Sequence, residues 1–403
     1  MIRHLFRLIW NRKKTNALIT VEILCSFLVL FAVITGGFIA FERYHQPLGF
    51  DYRDVWMVDI DTRLPLDSAS IPLKRETIHQ LLLALRGMNE IGNFCSMSVT
   101  PYSNNMSTWG GMVSGKLMRI AIEKCSESTK DVLGMHLVQG RWFEAGDGNQ
   151  NWIPVVVNSL LAKDRFGDAD PIGKNPFPKT DEAEKSPPKD YRIVGVVDNF
   201  KKGGEFSEPM YTVFEYFDAE NTTLKASSTL LVKVNPGVTA SFKEKLTRTM
   251  EATAKGWSFD VRTLEEMRKE DFKPRIALMI VTGLVAGFLL LMVALGLLGV
   301  MWQNVSRRTQ EIGLRRALGG TEGGIYAQIL GELLVLTTFG LIVGSLVIVQ
   351  FPLLDLLSFV SLKDYGIGFL VSVLMMYLLT AFCGLYPSLL AIEIEPAEAL
   401  HYE

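Results

Sequence analysis

A phosphate-binding loop is the first chemistry that the sequence suggests. Residues 110–117 read G-G-M-V-S-G-K-L, which has the glycine and lysine spacing of a Walker A motif. That motif needs a Ser or Thr after the lysine to bind magnesium, and Leu117 stands there instead. We find no acidic strand motif that would complete an ATPase site. We therefore expect no Walker A motif and no bound cofactor in this chain.

Motifs for nucleophilic or metal-assisted catalysis are equally scarce. The sequence has no G-x-S-x-G and no H-E-x-x-H, and its five histidines are scattered. A formal net charge of −2 argues against nucleic-acid binding, which needs a basic surface. We expect neither catalytic nor metal-binding residues, so this chain is predicted not to be an enzyme.

The cysteines leave one question open. Cys25 and Cys383 lie in apolar stretches and are expected to be packing residues. Cys95 and Cys125 lie outside those stretches, in a part of the chain predicted below to face an oxidising compartment. A disulfide between Cys95 and Cys125 is possible, but their spacing alone does not decide between a bridge and two free thiols.

Charge is distributed very unevenly along the 403 residues, although 21 % of them are charged. Four windows hold only two charged side chains, Glu22 and Glu332, and each is long enough to cross a bilayer. The first window is too long for a signal peptide and no A-x-A-like site follows it, so we expect a retained anchor. The windows are residues 17–41, 276–302, 325–350 and 366–391. The predicted fold class is therefore a membrane protein of four transmembrane helices, with an α/β extracytoplasmic domain between helices 1 and 2.

The basic residues set the orientation. Residues 1–16 and the loop 303–324 are rich in Arg and Lys, which favours the cytoplasmic side. Residues 42–275 and the short loop 351–365 then lie outside, and the tail 392–403 returns inside. Residues 1–16 also have the pattern of a short interfacial helix, although a simple basic stop before a span is the alternative.

The outer block, residues 42–275, reads as mixed α and β. Two βαβ-like halves, residues 51–100 and 228–263, predict one split α/β domain, and residues 101–227 predict an insertion within it. A charged helical stretch at 263–272 leads directly into the second span. Strands are predicted at 55–60, 91–100, 153–157, 191–197, 229–234 and 258–262, and helices at 74–86 and 239–255.

The cytoplasmic loop carries the clearest functional pattern. Residues 303–320 read Q-N-V-S-R-R-T-Q-E-I-G-L-R-R-A-L-G-G, an amphipathic helix closed by Gly319 and Gly320. Its apolar side chains are predicted to dock in a groove on a soluble partner. The alternative is that its arginines are a topology signal and nothing more.

This loop resembles the coupling segment of FtsX-like permeases, the membrane subunits of MacB-type (type VII) ABC transporters. G-R-W-F at 140–143, I-P-V-V-V-N at 153–158 and Y-R-I-V-G-V-V at 191–197 resemble the MacB-like periplasmic core domain of that family. Y-P at 386–387 and P-A-E-A-L at 396–400 resemble its end. The resemblance implies that the ATPase contacts Glu311, Ile312, Gly313, Leu314, Arg315, Arg316, Ala317, Leu318 and Gly319.

The resemblance also implies partners and a mechanism. A separate ABC ATPase subunit, two copies per complex, would bind ATP and Mg, and a second permease would complete a homo- or heterodimer in the bacterial inner membrane. ATP hydrolysis would move the periplasmic domain by mechanotransmission, for efflux of peptides, drugs or lipids with a possible membrane-fusion protein and outer-membrane duct. The alternative is a non-transport device that extracts lipoproteins or activates a cell-wall hydrolase or a sensor. Leu389, Leu390 and Glu393 stand where relatives usually carry Arg, which puts the tail's contact with the ATPase in doubt.

Two intramembrane carboxylates and a set of glycines complete the predicted membrane site. Because a carboxylate is costly in hydrocarbon, we expect Glu332 to face a polar group on a neighbouring span or on the coupling helix; snorkelling to the inner surface is the alternative. Glu22 is the other intramembrane polar residue. Small residues allow close helix approach, although generic membrane glycines are the alternative. These glycines are Gly283, Gly287, Gly296, Gly299, Gly340 and Gly344.

Overall fold

The computed structural model divides the chain into two compact units, Met1–Glu42 with Ile276–Glu403, and Arg43–Arg275. It describes residues 13–62, 71–103, 105, 107–113, 116–178, 190–218, 229–307, 314, 318, 321–354, 356–357 and 360–393. We call Arg43–Arg275 the outer unit and the remainder the helical unit. Most of the predicted interfacial helix at residues 1–16, and the tail motif at 396–400, lie outside the described residues.

The outer unit contains a four-stranded antiparallel sheet formed by the two ends of its sequence. Its strands are β1 (Val55–Asp61), β2 (Ile91–Ser96), β9 (Thr229–Val234) and β10 (Ser258–Thr263), in the order β10-β1-β9-β2. Two helices connect them, α2 (Ile71–Arg86) after β1 and α5 (Ser241–Thr253) after β9. This βαββαβ arrangement has the ferredoxin-like topology, with a long insertion between its two halves.

One face of this sheet is sealed by helices α2 and α5. In β1 the residues alternate, so that Trp56, Val58 and Ile60 face these helices. They pack against Leu81 of α2 and Leu246 of α5, both fully buried. The alternation seen in the sequence therefore corresponds to a real apolar face.

The insertion contains the strands β3 (Thr108–Val113), β4 (Lys116–Cys125), β5 (Leu137–Gly140), β6 (Ile153–Asn158), β7 (Tyr191–Val197) and β8 (Thr212–Tyr216). They form a second sheet of mixed direction, in the order β3-β4-β8-β6-β7-β5. In this sheet β4 pairs with β8, and β6 with β7, in parallel. The two sheets share a hydrophobic core to which Met57, Leu231, Val156 and Phe214 belong. Short helices α3 (Thr129–Val132) and α4 (Ser159–Phe166) complete the insertion.

Four helices of the described chain are long and apolar enough to cross a membrane. They are α1 (Lys13–His45), α6 (Leu264–Arg307), α7 (Glu322–Leu353) and α8 (Leu362–Glu393). In the helical unit, Phe27 of α1, Leu297 of α6, Leu333 of α7 and Met376 of α8 share one apolar core. The predicted fold class, four apolar helices with an α/β domain between the first two, is confirmed.

Candidate functional site

Two leucines of the predicted coupling segment lie within the described chain. Leu314 is helical, and the amide of Leu318 donates to the Leu314 carbonyl over 3.1 Å, the i to i−4 bond of an α-helical turn. Both side chains are exposed, at 51 % for Leu314 and 79 % for Leu318. The other predicted coupling residues, Glu311, Ile312, Gly313, Arg315, Arg316, Ala317 and Gly319, lie outside the described residues, and their contacts stay predictions.

The segment is bounded by the ends of two membrane-spanning helices. Helix α6 ends at Arg307, and Thr321 caps the start of α7. The Thr321 hydroxyl accepts a hydrogen bond from the Gly324 amide at 3.3 Å, which satisfies one free N–H of the first turn. A force on the segment therefore acts on the ends of α6 and α7.

The two intramembrane carboxylates are both half-buried. Glu22 of α1 lies against Gly296 of α6, where an added Cβ would stand 2.7 Å from a Glu22 carboxylate oxygen. Gly296 thus leaves the space that the Glu22 carboxylate occupies between the first and second spans. Glu332 lies in α7, and the identity of its polar neighbour stays a prediction.

Only some of the predicted glycines make close helix contacts within this chain. A Cβ at Gly340 would stand 2.7 Å from Ile23, and one at Gly344 would stand 2.5 Å from the Phe27 ring, so α7 approaches α1 along these two glycines. The remaining three glycines make no such contact within the described chain, and close approach there stays a prediction. Gly283, Gly287 and Gly299 have nothing within 4 Å of a built Cβ among the described atoms, because they lie on faces of α6 that no other described helix covers.

Hydroxyl pairs connect the third and fourth spans. Thr337 of α7 and Thr380 of α8 are fully buried, and their hydroxyls are 2.9 Å apart. The Thr338 hydroxyl is likewise 2.9 Å from the hydroxyl of Tyr377. Such bonds add specific contacts between helices that lipid would otherwise separate at little cost.

In the outer unit, the G-R-W-F motif is structural. Arg141 makes a bidentate ion pair with buried Asp147, with both N–O distances 2.7 Å. This bond with Arg141 holds the pKa of Asp147 below its ordinary value. The Trp142 ring nitrogen donates to the Glu127 carbonyl at 2.8 Å. Gly140 has φ +73°, and a Cβ there would stand 2.3 Å from the Val194 carbonyl oxygen, so only glycine allows this approach to β7.

A second charged pair, Glu123 and Lys202, is also buried, but its carboxylate lacks hydrogen bonds. Glu123 of β4 is fully buried, and its Oε1 is 3.6 Å from the Lys202 ammonium nitrogen. Neither carboxylate oxygen has a hydrogen-bond partner among the described atoms, whereas Lys202 also donates to the Asn105 carbonyl. Burial raises the pKa of Glu123 to about 7, and the nearby Lys202 charge opposes this shift.

The two cysteines for which the sequence left a disulfide undecided, Cys95 and Cys125, are free thiols in this structure. Cys95 of β2 and Cys125 of β4 are both buried in the core shared by the two sheets. Burial raises the pKa of Cys95 to about 12 and that of Cys125 well above its ordinary value. Because the thiolate is the reactive form, burial disfavours the reaction of either thiol; a bridge between Cys95 and Cys125 stays a prediction.

The Walker A-like stretch lies on a hairpin. Its ends belong to the antiparallel strands β3 and β4, with Val113 paired to Lys116, whereas a phosphate-binding loop leads from a strand into a helix. Ser114 and Gly115 lie outside the described residues. Within the described chain, no group of three or more His, Cys, Asp or Glu side chains could hold a metal ion.

Two sequence families match the chain. The MacB-like periplasmic core domain matches residues 25–249, and the C-terminal domain of FtsX-like permeases matches residues 283–396. The first match alone covers more than half of the 403 residues.

The chain belongs to the FtsX-like permeases with a MacB-like periplasmic core domain. The resemblance expected from the motifs is confirmed. The macrolide export ATP-binding/permease protein MacB of Bdellovibrio bacteriovorus is 24 % identical over 66 % of this chain, which spans 41 % of that relative's length. The uncharacterized ABC transporter permease YknZ of Bacillus subtilis is 27 % identical, over 68 % of each protein.

Two solved structures align with about half of this FtsX-like permease. The periplasmic region of MacB from Actinobacillus actinomycetemcomitans aligns with 57 % of this chain and 97 % of its own, at 16 % identity and a TM-score of 0.37. The extracellular domain of YknZ aligns with 51 % of this chain and 99 % of its own, at 11 % identity and a TM-score of 0.31.

The family matches divide the permease as its motifs do. The core-domain match contains the Arg141–Asp147 pair, and the FtsX-like match contains the coupling segment and the last two spans. Sequence reasoning missed the Glu123–Lys202 pair and the buried Lys201 and Glu205 beside it. A search for isolated charges in strand patterns could have flagged Glu123, since it interrupts the run R-I-A-I-E-K-C.

Proposed function

We propose that this chain is the permease subunit of an ATP-driven, MacB-type ABC transporter of the bacterial inner membrane. An ATPase outside these 403 residues, a separate subunit in this proposal, would bind ATP and Mg and contact the coupling segment. A second permease would complete the complex. The outer unit would lie in the periplasm and would move as the ATPase changes state, without a substrate tunnel through the bilayer.

Helix α6 is the observation that carries the proposal. It runs from Leu264 to Arg307 as one helix of 44 residues, with Pro274 inside it. At its first residues, Leu264 and Met267 are buried in the core of the outer unit. Its other end, Arg307, precedes the predicted ATPase contact at Glu311 in the sequence. Helix α6 is thus the element that leads from the outer core toward the predicted ATPase contact.

The exposed leucines supply a contact of the right chemistry. Leu314 and Leu318 lie one helical turn apart and leave apolar surface in water. A partner groove that covers them would gain about 25 cal/mol for each Å² buried. For such a contact to transmit work, the ATP-bound ATPase must bind one state of the permease better than the other.

Export is the transport role that the relatives favour. The Bdellovibrio relative is named a macrolide export ATP-binding/permease protein, and the Bacillus subtilis relative an ABC transporter permease. We therefore propose efflux of a periplasmic peptide, drug or lipid. Mass spectrometry of everything that co-purifies tests this: a membrane-fusion protein supports efflux, and a cell-wall hydrolase, lipoprotein carrier or sensor kinase would instead support the non-transport alternative.

Leu318→Asp tests the coupling segment. It places a charge in a contact that must lose water, and should abolish both co-purification of the ATPase and permease-stimulated ATP hydrolysis. The matched control is Leu73→Asp in α2 of the outer unit, since Leu73 is also exposed, at 60 %. Leu73→Asp should change neither. Normal assembly and ATPase activity in well-inserted Leu318→Asp would show that the loop is only a topology signal.

Cysteine labelling tests the orientation. A cysteine at Asn221 should react with an impermeant reagent in cells whose outer membrane is permeable to it, and one at Thr309 should react only after the inner membrane is opened. Both substitutions need Cys25→Ser, because Cys25 is the exposed native thiol among the described residues. Labelling of Thr309 in sealed cells would contradict the topology and the coupling proposal together.

A further inference from the structure

A single loop of the inserted sheet contacts both helices that leave the outer unit. Residues 199–208, between β7 and β8, read N-F-K-K-G-G-E-F-S-E, and we call them the bridging loop. On one side lies the end of α1 with the linker after it, residues 43–52. On the other lie the first turns of α6, residues 264–275. All these residues belong to the outer unit.

Lys201 attaches the loop to the end of α1. Its side chain is 1 % exposed, and its ammonium donates to the carbonyls of Arg43 and Glu205, each at 2.5 Å. Arg43 lies in the last turn of α1, where carbonyls lack partners in their own helix and a positive charge is favourable. The Arg43 carbonyl also accepts a hydrogen bond from the Gln46 amide at 3.3 Å. Lys201 therefore caps the helix that forms the first span.

The backbone of the bridging loop also contacts the linker after α1. The Lys201 amide donates to the Leu48 carbonyl at 2.9 Å. Gly49 in the linker has φ +80°, and a Cβ there would stand 2.0 Å from the Asn199 carbonyl oxygen. Only glycine permits both the left-handed conformation and this approach. The linker after α1 is thus pressed against the bridging loop.

Glu205 attaches the same loop to α6. It is 6 % exposed, and its carboxylate pairs with Arg268 in the second turn of α6. The Arg268 guanidinium also stacks over Tyr52 of the linker, 4.8 Å from the ring centre, and over Phe272 of α6, 5.6 Å away. Removing one partner of a buried ion pair leaves the other charge uncompensated, so this contact resists separation.

Aromatic packing between the helices repeats this arrangement. The Phe206 ring of the loop lies 5.7 Å from Tyr44 of α1 and 5.0 Å from Phe272 of α6. Farther along α6, Arg275 donates to the Gly203 carbonyl at 3.4 Å. The loop is therefore attached to each helix by at least one charged group and one aromatic ring.

We propose that the bridging loop is a joint that makes the outer ends of α1 and α6 move as one body, with Lys201 and Glu205 as its positioning residues. This inference rests on the proposed function, because the joint matters when the ATPase moves these helices. The two lysines of the bridging loop, Lys201 and Lys202, make different contacts. Lys201 contacts the helix ends, whereas the adjacent Lys202 pairs with Glu123 inside the inserted sheet.

The distance between two spin labels tests the joint in the full permease–ATPase complex in nanodiscs. Labels at Gln46, after α1, and Lys273, in α6, replace exposed residues in a Cys25→Ser background. In otherwise wild-type protein the distance should be the same without nucleotide and with trapped ATP. In Lys201→Met it should shift between the two states, because the carbonyls of Arg43 and Glu205 lose their shared donor.

Lys202→Met is the matched control. It removes the neighbouring ammonium without touching the helix ends, so the distance should stay independent of nucleotide. Glu205→Gln is a second variant for the case that Lys201→Met does not fold; it keeps the shape but weakens the bond to Arg268, and should give a smaller shift in the same sense. Equal distances in both states in folded Lys201→Met or Glu205→Gln would overturn the joint.

A separate label pair distinguishes this failure from failure of the proposed function. Labels at Lys243, exposed in α5, report the distance between the outer units of two permeases. A nucleotide-dependent change there with no effect of Lys201→Met on the helix-end distance rejects the joint alone. No nucleotide-dependent change at Lys243 or at the helix ends in any variant rejects the proposed function, and the joint with it.

Discussion

The two ends of the long helix α6 are built in opposite ways. At the outer end, Leu264 and Met267 are buried and Arg268 is paired with Glu205, so one face of the helix packs against its own chain. Beyond the inner end, Leu314 and Leu318 expose large apolar surfaces. Buried apolar surface stabilises a fold and exposed apolar surface does not. The outer end is therefore packed within one chain, whereas the proposed ATPase contact would cover the leucines beyond the other end.

The membrane-spanning helices α6 and α7 also differ in how much of their surface the chain itself buries. Within the structure, 39 % of the apolar window in α7 is buried, against 11 % in α6. Helix α7 packs on α1 through Gly340 and Gly344, whereas Gly283 and Gly287 of α6 lie open. The second span is therefore the element whose environment depends most on lipid or on a second permease.

Truncation of Leu264 should have the largest effect on stability. Leu264→Ala removes a fully buried side chain from the core shared by the two sheets, which should cost about 2–5 kcal/mol. Leu318→Ala removes an exposed side chain and should change stability by less than about 0.5 kcal/mol. Thermal unfolding of the full-length protein in detergent, without the ATPase, compares them. Equal losses would show that the two ends do not differ as described.

The buried Glu123 should make the stability of the outer unit depend on pH. The pKa of Glu123 is raised from 4.5 to about 7 in the folded state, so the folded protein holds this proton more tightly than the unfolded chain. Its stabilising effect is complete below about pH 4.5 and is lost as the pH rises through 7. Glu123→Gln keeps a neutral side chain, so it should match wild type at low pH and be more stable at pH 8, by roughly 3 kcal/mol at most.

Melting temperatures at pH 5 and pH 8 measure this difference. Lys202 retains its bond to the Asn105 carbonyl in the variant, and Lys202→Met in the same series reports the contribution of the ammonium. A Glu123→Gln protein that is less stable than wild type at pH 8 would mean that the carboxylate is charged and well paired there.

Two glycines test the contrast between the spans. Gly344→Val would force a branched side chain into the space held by the Phe27 ring, at a typical cost of about 1–3 kcal/mol. Gly287→Val meets open space within this chain and should leave the thermal stability of detergent-solubilised monomer unchanged. If Gly287→Val lowers the dimer fraction in nanodiscs while the monomer is unaffected, then α6 contacts a second permease there.

Local patterns could be predicted from the sequence, and distant contacts could not. The alternation in β1 and the helical spacing in α2 gave both elements within a few residues, because each buries one face. Strands β3, β4, β5 and β8 were missed. Glycines interrupt β3 and end β5, charged residues interrupt the alternation of β4, and β8 has only five residues. A short strand leaves too few residues to show a period of two.

The polar contacts of the outer unit could not be predicted from the sequence for a different reason. Lys201 binds the carbonyl of Arg43, 158 residues away, and a backbone carbonyl leaves no mark on side-chain patterns. The Arg141–Asp147 pair spans only six residues, yet the motif could be recognised without its structural role. By contrast, the amphipathic pattern predicted the helical turn from Leu314 to Leu318, whereas the contact of these leucines with an ATPase stays a prediction.

Removal of a single charge at the coupling segment should have the smallest effect. Glu311 lies outside the described residues, and the amphipathic pattern places it on the polar side of the segment. Charges at the rim of an interface contribute up to about 1 kcal/mol and act mainly on the association rate. Glu311→Ala should therefore slow binding of the ATPase to the immobilised permease a few-fold at low salt. The difference should vanish at about 0.5 M salt, where charges are screened within a few Å.

Arg315→Ala in the same experiment shows which sign of charge the ATPase surface prefers. A faster dissociation rate in Glu311→Ala that persists at high salt would place Glu311 in the desolvated centre of the contact, beside Leu314 and Leu318, and the segment would then bind its partner by a different face.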